Sequence, residues 1–184
     1  MAVRPWRRGD RGELEALAAL ERACFPAGPW TPAELAMHCG AAGAVAVVAV
    51  DDGDAAGAED AAAEGRLAAA GGVGGYCVGR ISAPDRSRSG AEASSPPELA
   101  VLRLAVDPAL RRRGVGSRLV AAAVARAEAD LGARPSVALE LRKGNAAALA
   151  LYRKLGFLVA GERAGLYSNG DAGVLLVQPA SLDL

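Results

Sequence analysis

The chain alternates between short runs of contiguous or every-second apolar residues and longer stretches with apolar residues three and four apart. The changeovers fall at Gly, Pro, Asp and Asn. Ala2 to Arg7 reads as a first strand, with Val3 and Trp6 as its apolar content. Asp10 and Glu13 have capping-box spacing, and Leu14, Leu17 and Leu20 follow, which predicts a helix over Arg11 to Ala23. Cys24-Phe25-Pro26-Ala27-Gly28-Pro29-Trp30 is a loop by its Pro and Gly content. Thr31-Pro32-Ala33-Glu34 is a second capping box with Pro at the first helical position, and that helix should stop near Gly40. Strands follow at Ala44 to Val50, Val73 to Ile81 and Leu99 to Val106, the last ended by Asp107-Pro108. Val120, Val124, Ala127 and Leu131 fall on one helical stripe, away from Arg118, Arg126 and Asp130, and Gly132 marks the stop. Ser136 to Arg142 alternates as a strand, and Asn145 opens a helix that runs to Leu155 before Gly156. Strands at Phe157 to Arg163 and Gly173 to Gln178 flank a turn-rich connection, Gly165 to Asp171.

The resulting order is β-α-α-β-β-β-α-β-α-β-β. Sequential strands point to an antiparallel first half, and the strand–helix–strand units around the two later helices point to parallel neighbours. Two segments break the pattern. Asp51 to Gly72 is acidic and Ala/Gly-rich, with a possible helical turn at Ala61 to Ala70, and Ser82 to Pro97 is rich in Ser and Pro. Both read as mobile surface insertions.

At 184 residues the chain is long enough for one domain with a proper core. Hydrophobic residues make up 52% but aromatics only 4%, so the core must be built from small side chains. Zero formal net charge gives no general field toward nucleic acid or acidic membranes. The three cysteines lack metal spacing and read as reduced thiols of a cytoplasmic protein. The N-terminus lacks the apolar core of a signal peptide, and the longest apolar run, Ala41 to Val50, is too short to span a bilayer.

The stretch with most chemical content is Glu98 to Leu131. An apolar strand runs into Arg111-Arg112-Arg113-Gly114-Val115-Gly116, and a helix follows at once. A helix start carries backbone N–H groups without intrahelical partners and a partial positive charge. Glycines let an anion approach the backbone, and the arginines add long-range attraction. This is an anion site. It is neither a P-loop, for it lacks the closing Lys-Ser/Thr, nor a G-x-G-x-x-G turn. A basic loop that merely begins a helix is the plainer alternative.

Two blocks, L-A-V-D-P…R-R-R-G-V-G-S (Leu104 to Ser117) and L-E-L-R-K-G-N-A-A-A-L-A-L-Y-R-K-L-G-F (Leu139 to Phe157), resemble the GNAT superfamily of acyl-CoA N-acyltransferases. With C-F-P-A-G-P-W-T (Cys24 to Thr31) upstream, the chain looks like the RimI branch, which acetylates the N-terminal alanine of a small-subunit ribosomal protein. The resemblance covers nearly the whole chain in element order. It implies an α/β (α+β) fold in a single domain, a mixed seven-stranded sheet flanked by about four helices, with a bulge splaying the central strands. It implies acetyl-CoA as co-substrate. Backbone groups of Leu104, Ala105 and Val106 would meet the pantetheine and thioester, and Arg111, Arg112, Arg113, Gly114, Val115, Gly116 and Ser117 would wrap the pyrophosphate.

Acetyl transfer needs a neutral amine, whereas a free α-amine has a pKa of about 8. A carboxylate can take the proton. Glu140 shares a strand face with Ala138 and Arg142, opposite Val137, Leu139 and Leu141, and alternation alone makes it a solvent-facing glutamate. The matching family position carries a general base. Tyr152 lies seven residues after Asn145 on one helix. Spacing alone favours a core tyrosine beside Leu149 and Leu155, whereas the family position implies the acid that protonates the departing thiolate. A backbone N–H of Leu104 to Val106 would stabilise the thioester oxygen. Asn145 is first an N-cap, and the resemblance adds a hydrogen bond to the coenzyme arm. Trp30 and Tyr167 occupy family positions that wall the acceptor channel, although Trp30 reads equally as a packing residue. His38, the sole histidine, reads as surface decoration on a helix end, and no G-x-S-x-G elbow is present.

The chain departs from the branch in a shortened Gly165 to Asp171 loop, in Leu166-Tyr167 where the branch often has two aromatics, and in the two insertions. Three readings therefore stand. The first is direct acetyl transfer in a ternary complex to a protein N-terminal α-amine, ribosomal or other. The second is transfer to a small amine or antibiotic, and the third a non-catalytic acyl-CoA-binding module. The expected partners are acetyl-CoA and a peptide or protein N-terminus, without metal, nucleic acid or membrane, in a monomer or weak dimer.

Overall fold

A computed structural model describes residues 1–51, 72–82, 97–167 and 170–180. The two expected insertions, and the helical turn at 61–70, lie outside the described residues except at their ends. The ends of the first are tied by a hydrogen bond from Asp51 N–H to the Gly72 carbonyl at 2.9 Å.

The elements are β1 (Ala2–Pro5), α1 (Arg11–Cys24), α2 (Pro32–Gly40), β2 (Ala44–Val50), β3 (Val73–Ser82), β4 (Glu98–Val106), a 3₁₀ turn (Pro108–Leu110), α3 (Val115–Leu131), β5 (Ser136–Arg142), α4 (Ala146–Lys154), β6 (Leu158–Arg163) and β7 (Gly173–Gln178). The seven strands form one mixed sheet in the order β1-β2-β3-β4-β5-β7-β6. The expected element order, fold class and mixed sheet are all present. β1 pairs antiparallel with β2, and β4 pairs in parallel with β5 from Glu98↔Ser136 to Ala100↔Ala138, after which β4 runs on to Val106 and β5 to Arg142.

One expectation about pairing needs correction. The strands joined by α4 are not neighbours, because β7 lies between them, antiparallel to both β5 and β6. Hydrophobicity explains the choice. β7, Gly-Val-Leu-Leu-Val-Gln, buries Val174 and Leu176, whereas β6 ends in Gly-Glu-Arg and leaves Leu158 and Val159 exposed. The more apolar strand takes the position with two partners, and the more polar strand takes the edge. The β6–β7 register slips between Val159 and Gly161.

The residues gather into two compact units, Met1–Val78 with Arg103–Ala123 and Gly79–Leu102 with Val124–Leu184. In the first, Ala16, Leu17, Ala18 and Leu20 of α1 and Leu35 and Cys39 of α2 pack with Val48, Val73, Tyr76, Val78 and Ala105. Both predicted N-caps are present. Thr31 and Glu34 form a full capping box. Asp10 accepts from the Glu13 N–H, but the Glu13 carboxylate turns away from the cap to accept from Arg4 Nη2 at 2.5 Å and from Arg7 N–H at 2.9 Å. A charged guanidinium is a stronger partner than one cap amide, so only half of that box forms. In the second unit, Leu99, Val101, Val137, Leu139, Leu141, Tyr152, Phe157, Val174 and Leu176 are buried.

A core of small side chains permits close backbone approach. A Cβ added at Gly75 would lie 2.9 Å from the Ala105 carbonyl oxygen and 2.9 Å from Leu119 Cδ1. Gly75→Ala should therefore destabilise the protein by about 1–3 kcal/mol, read as a lowered denaturation midpoint. Burial pushes the Cys77 thiol from 9.0 up to about 12, and burial with the nearby Glu13 charge does the same to Cys39. Because the folded values are raised, the stability these thiols contribute is whole below pH 9.0 and is lost as pH climbs toward 12. A disulfide reagent at neutral pH should titrate Cys24 alone in the native protein and all three thiols after unfolding.

Candidate functional site

In the first unit, β4 ends in Leu104, Ala105 and Val106, of which Ala105 is buried and the other two are half-buried. The Val106 carbonyl accepts from Cys24 Sγ at 3.4 Å and from Arg111 Nε at 3.2 Å. Asp107 turns the chain by accepting from Ala109 N–H at 2.8 Å. Arg111 is thus folded back onto the end of its own strand, with Nη2 also 3.6 Å from Cys24 Sγ. Arg112 and Arg113 are exposed. Arg112 has φ +65° and Gly114 φ +79°. For a side chain as large as arginine the left-handed region carries strain on the order of 1–3 kcal/mol.

The Gly114 carbonyl accepts the Arg118 N–H at 3.1 Å, the first bond of α3. Val115 is buried and pins the helix start, while Gly116 and Ser117 are half-buried. The amides of this first turn lack intrahelical carbonyl partners, and two exposed arginines stand beside them, which is a suitable setting for a diphosphate. A Cβ at Gly114 would meet nothing within 4 Å, so only backbone strain opposes it. Gly114→Ala should cost about 1–2 kcal/mol in thermal or chemical denaturation.

In the second unit, β5 carries Glu140 outward while Val137, Leu139 and Leu141 are buried, as alternation requires. Ala138, on the outward face, is small enough to be buried too. Glu140 Oε1 lies 3.5 Å from Arg163 Nη1, and both groups remain substantially exposed. Arg142 pairs with Asp171 at 2.6 Å, and its guanidinium carbon sits 4.0 Å above the Tyr167 ring. Burial, with the Glu140 charge adding and Arg142 opposing, pushes the Tyr167 phenol above its ordinary value. The loop holding Tyr167 closes through Gly170 N–H to the Tyr167 carbonyl at 2.8 Å.

Asn145 caps α4 by accepting from Ala148 N–H at 3.1 Å. It lines an open depression of about 590 Å³ with Arg142, Lys143, Gly144, Asp171 and Ala172, in the size range of small-molecule sites, ~300–1,000 Å³. Tyr152, on α4, is buried with its ring edge-on to Phe157, centroids 5.1 Å apart. The aromatic neighbour of Tyr152 is therefore Phe157, which the expected packing beside Leu149 and Leu155 did not include.

Back in the first unit, half-buried Trp30 is held by three contacts. Its N–H donates to Glu21 Oε2 at 2.7 Å, its ring stacks on His38 at 4.2 Å and 19°, and the Arg103 guanidinium lies 4.4 Å from its centroid. His38 is therefore a half-buried stacking partner of Trp30 rather than surface decoration. The sequence reading missed Arg103 and Glu21 entirely. Both were signalled by position. Glu21 follows Leu14, Leu17 and Ala18 on the apolar stripe of α1, and Arg103 alternates with Leu99, Val101 and Ala105 on the buried face of β4. A charge at a core position demands a partner. Among the described residues no group of His, Cys, Asp and Glu is arranged to hold a metal, and no helix is long and apolar enough to cross a membrane.

Comparison with known proteins gives the chain its relatives and its family. Over 81 residues, 42% of the chain, it is 43% identical to the N-alpha-acetyltransferase RimI of Mycobacterium tuberculosis. The chain spans less than half the length of the curated relatives it matches, 48% in that case. Its fold superposes on the ribosomal-protein-S18-alanine N-acetyltransferase of Escherichia coli with TM-score 0.70 and 20% identity, covering 100% of this chain and 96% of that one. Arabidopsis thaliana NAA60, solved in complex with acetyl-CoA, superposes with TM-score 0.74 and 19% identity over 96% and 97% of the two chains. Residues 14–157 match the model of the acetyltransferase (GNAT) family, and this chain belongs to that family.

Proposed function

We propose that the protein is an acetyl-CoA-dependent N-acetyltransferase that moves an acetyl group directly, in a ternary complex, to a protein N-terminal α-amine, and that its acceptor is the N-terminal alanine of a small-subunit ribosomal protein. The observation that carries this is Glu140. It is a carboxylate held outward by a strand whose other face is locked into the core, and it stands next to Arg163 on the adjoining hairpin. That RimI and a ribosomal-protein alanine acetyltransferase are among the similar proteins supports the acceptor class.

Acetyl-CoA supplies the activated acyl group. Glu140 receives the proton of the incoming ammonium, directly or through water, so that the amine attacks neutral. Backbone N–H groups of Leu104 to Val106 meet the charge that develops on the carbonyl oxygen. The loop from Arg111 to Ser117 holds the diphosphate on the amides at the start of α3, with the charges of Arg112 and Arg113 beside it. Asn145, while capping α4, offers its amide N–H₂ to the coenzyme arm. Tyr152 donates its phenolic proton to the departing thiolate and is reprotonated, through water, by the second proton that the nitrogen sheds as the amide forms. Trp30 and Tyr167 wall the acceptor, each held from below by an arginine, Arg103 and Arg142 respectively.

Incubation with acetyl-CoA and an Ala-starting peptide should give the Nα-acetyl peptide by mass spectrometry. Glu140→Gln should lower kcat about 10²- to 10⁴-fold, and Tyr152→Phe should lower it in the same direction, with the fold unchanged by circular dichroism. Turnover of small amines with no product from any peptide N-terminus would overturn the acceptor class.

A further inference from the structure

Glu21 has no exposed surface, yet it carries a carboxylate. Its oxygens are fully used. Oε1 accepts from the Tyr76 hydroxyl and from Arg103 Nε at 3.1 Å, and Oε2 accepts from Arg103 Nη2 at 3.0 Å and from Trp30 N–H at 2.7 Å. Burial and the bond to Glu21 together push the Tyr76 phenol upward, which keeps it a donor. Arg103 is equally committed. Besides its two-pronged bond to Glu21, Nη2 donates to the Gly28 carbonyl at 3.0 Å. Its guanidinium carbon lies 4.2 Å from the Phe25 centroid and 4.4 Å from that of Trp30.

This pair does more than fill the core. Replacing a buried ion pair by apolar residues of the same size is often neutral or stabilising, so stability is a weak reason to keep one. What the pair does here is fix one short loop at four points: the Phe25 ring, the Gly28 carbonyl, the Trp30 amide and the Trp30 ring. The loop Cys24 to Thr31 contains Gly28 and two prolines. Its one backbone tie within itself is Gly28 N–H to the Phe25 carbonyl at 3.0 Å, among the hydrogen bonds of the described residues. Lysine could not reproduce the fork or the flat faces that meet two rings.

We propose that Arg103, seated on Glu21, is a positioning residue for the acceptor: it sets the conformation of Phe25 to Trp30 and through that loop determines how tightly an acceptor N-terminus is held. The proposal rests on the reading of Trp30 as an acceptor wall. Arg103 touches no reacting atom, so its loss should appear in acceptor binding and leave the chemical step alone.

The test uses Arg103→Lys and Arg103→Met in the full chain, with steady-state kinetics on an Ala-starting peptide and on acetyl-CoA. Both variants should raise the KM for peptide about tenfold, a change of modest size for a lost charged fork. The kcat and the KM for acetyl-CoA should stay within about twofold. Unchanged peptide KM in both variants, or a fall in kcat with both KM values unaltered, would overturn the proposal.

A second readout does not depend on turnover. In a Trp6→Phe background Trp30 is the sole tryptophan. Its emission should shift to the red and its quenching by acrylamide should rise in both Arg103 variants. If no peptide is acetylated by the parent protein, the acceptor reading fails by itself, and unchanged Trp30 emission and quenching would then overturn the clamp as well. Should Arg103→Met fold poorly, Arg103→Lys retains the charge and carries the same expectations.

Discussion

A carboxylate removed from water needs donors to replace the water it has lost, and Glu21 has four. The consequences spread through the first unit. Arg103 is drawn onto the otherwise apolar inner face of β4, Tyr76 turns its hydroxyl inward from β3, and the Trp30 amide is pulled to the end of α1. Any one of these groups left without its partner would be more costly than the whole arrangement. The loop between α1 and α2 is therefore tied from outside itself, since its own sequence of Pro and Gly provides little to define it.

In the second unit the governing fact is that β7 takes the inner position. Its register with β5 runs from Val137↔Gln178 to Arg142↔Gly173, and β6 is then carried alongside. This brings Arg163, remote in sequence, to within 3.5 Å of Glu140, and it brings Asp171 and Tyr167 under Arg142. A strand glutamate that alternation alone marks as solvent-facing thus acquires a charged and aromatic setting. The surroundings are half open, which keeps Glu140 accessible to an amine and to water.

Much of this was legible in the residues. Ala44–Val50, Ser136–Arg142 and Gly173–Gln178 are apolar runs bounded by Gly, Pro or charged residues, and their limits follow from composition alone. Helix starts at Thr31 and Asn145 were marked by caps that the structure contains. Arg111 to Gly116 stood out as a candidate anion loop because three arginines and two glycines run together there, and α3 does begin at that point. What escaped detection depends on sequence separation. Nothing local tells that Arg103 meets Glu21, 82 residues away, or that Arg163 meets Glu140. The same holds for the insertion of β7 between strands that a strand–helix–strand rule would pair. The left-handed backbone of Arg112 was also hidden, because arginine carries no signal of positive φ as glycine does.

The slip of register between Val159 and Gly161 has a consequence for the protein in a crowded solution. β6 is the last strand of the sheet and shows Leu158 and Val159 to water, the kind of border onto which a stray chain could add itself. The register shift there interrupts the regular run of the strand, and Glu162 and Arg163 follow with charge. An added strand would have to follow that interrupted run beside two charges, which makes this border a poor template despite its apolar pair.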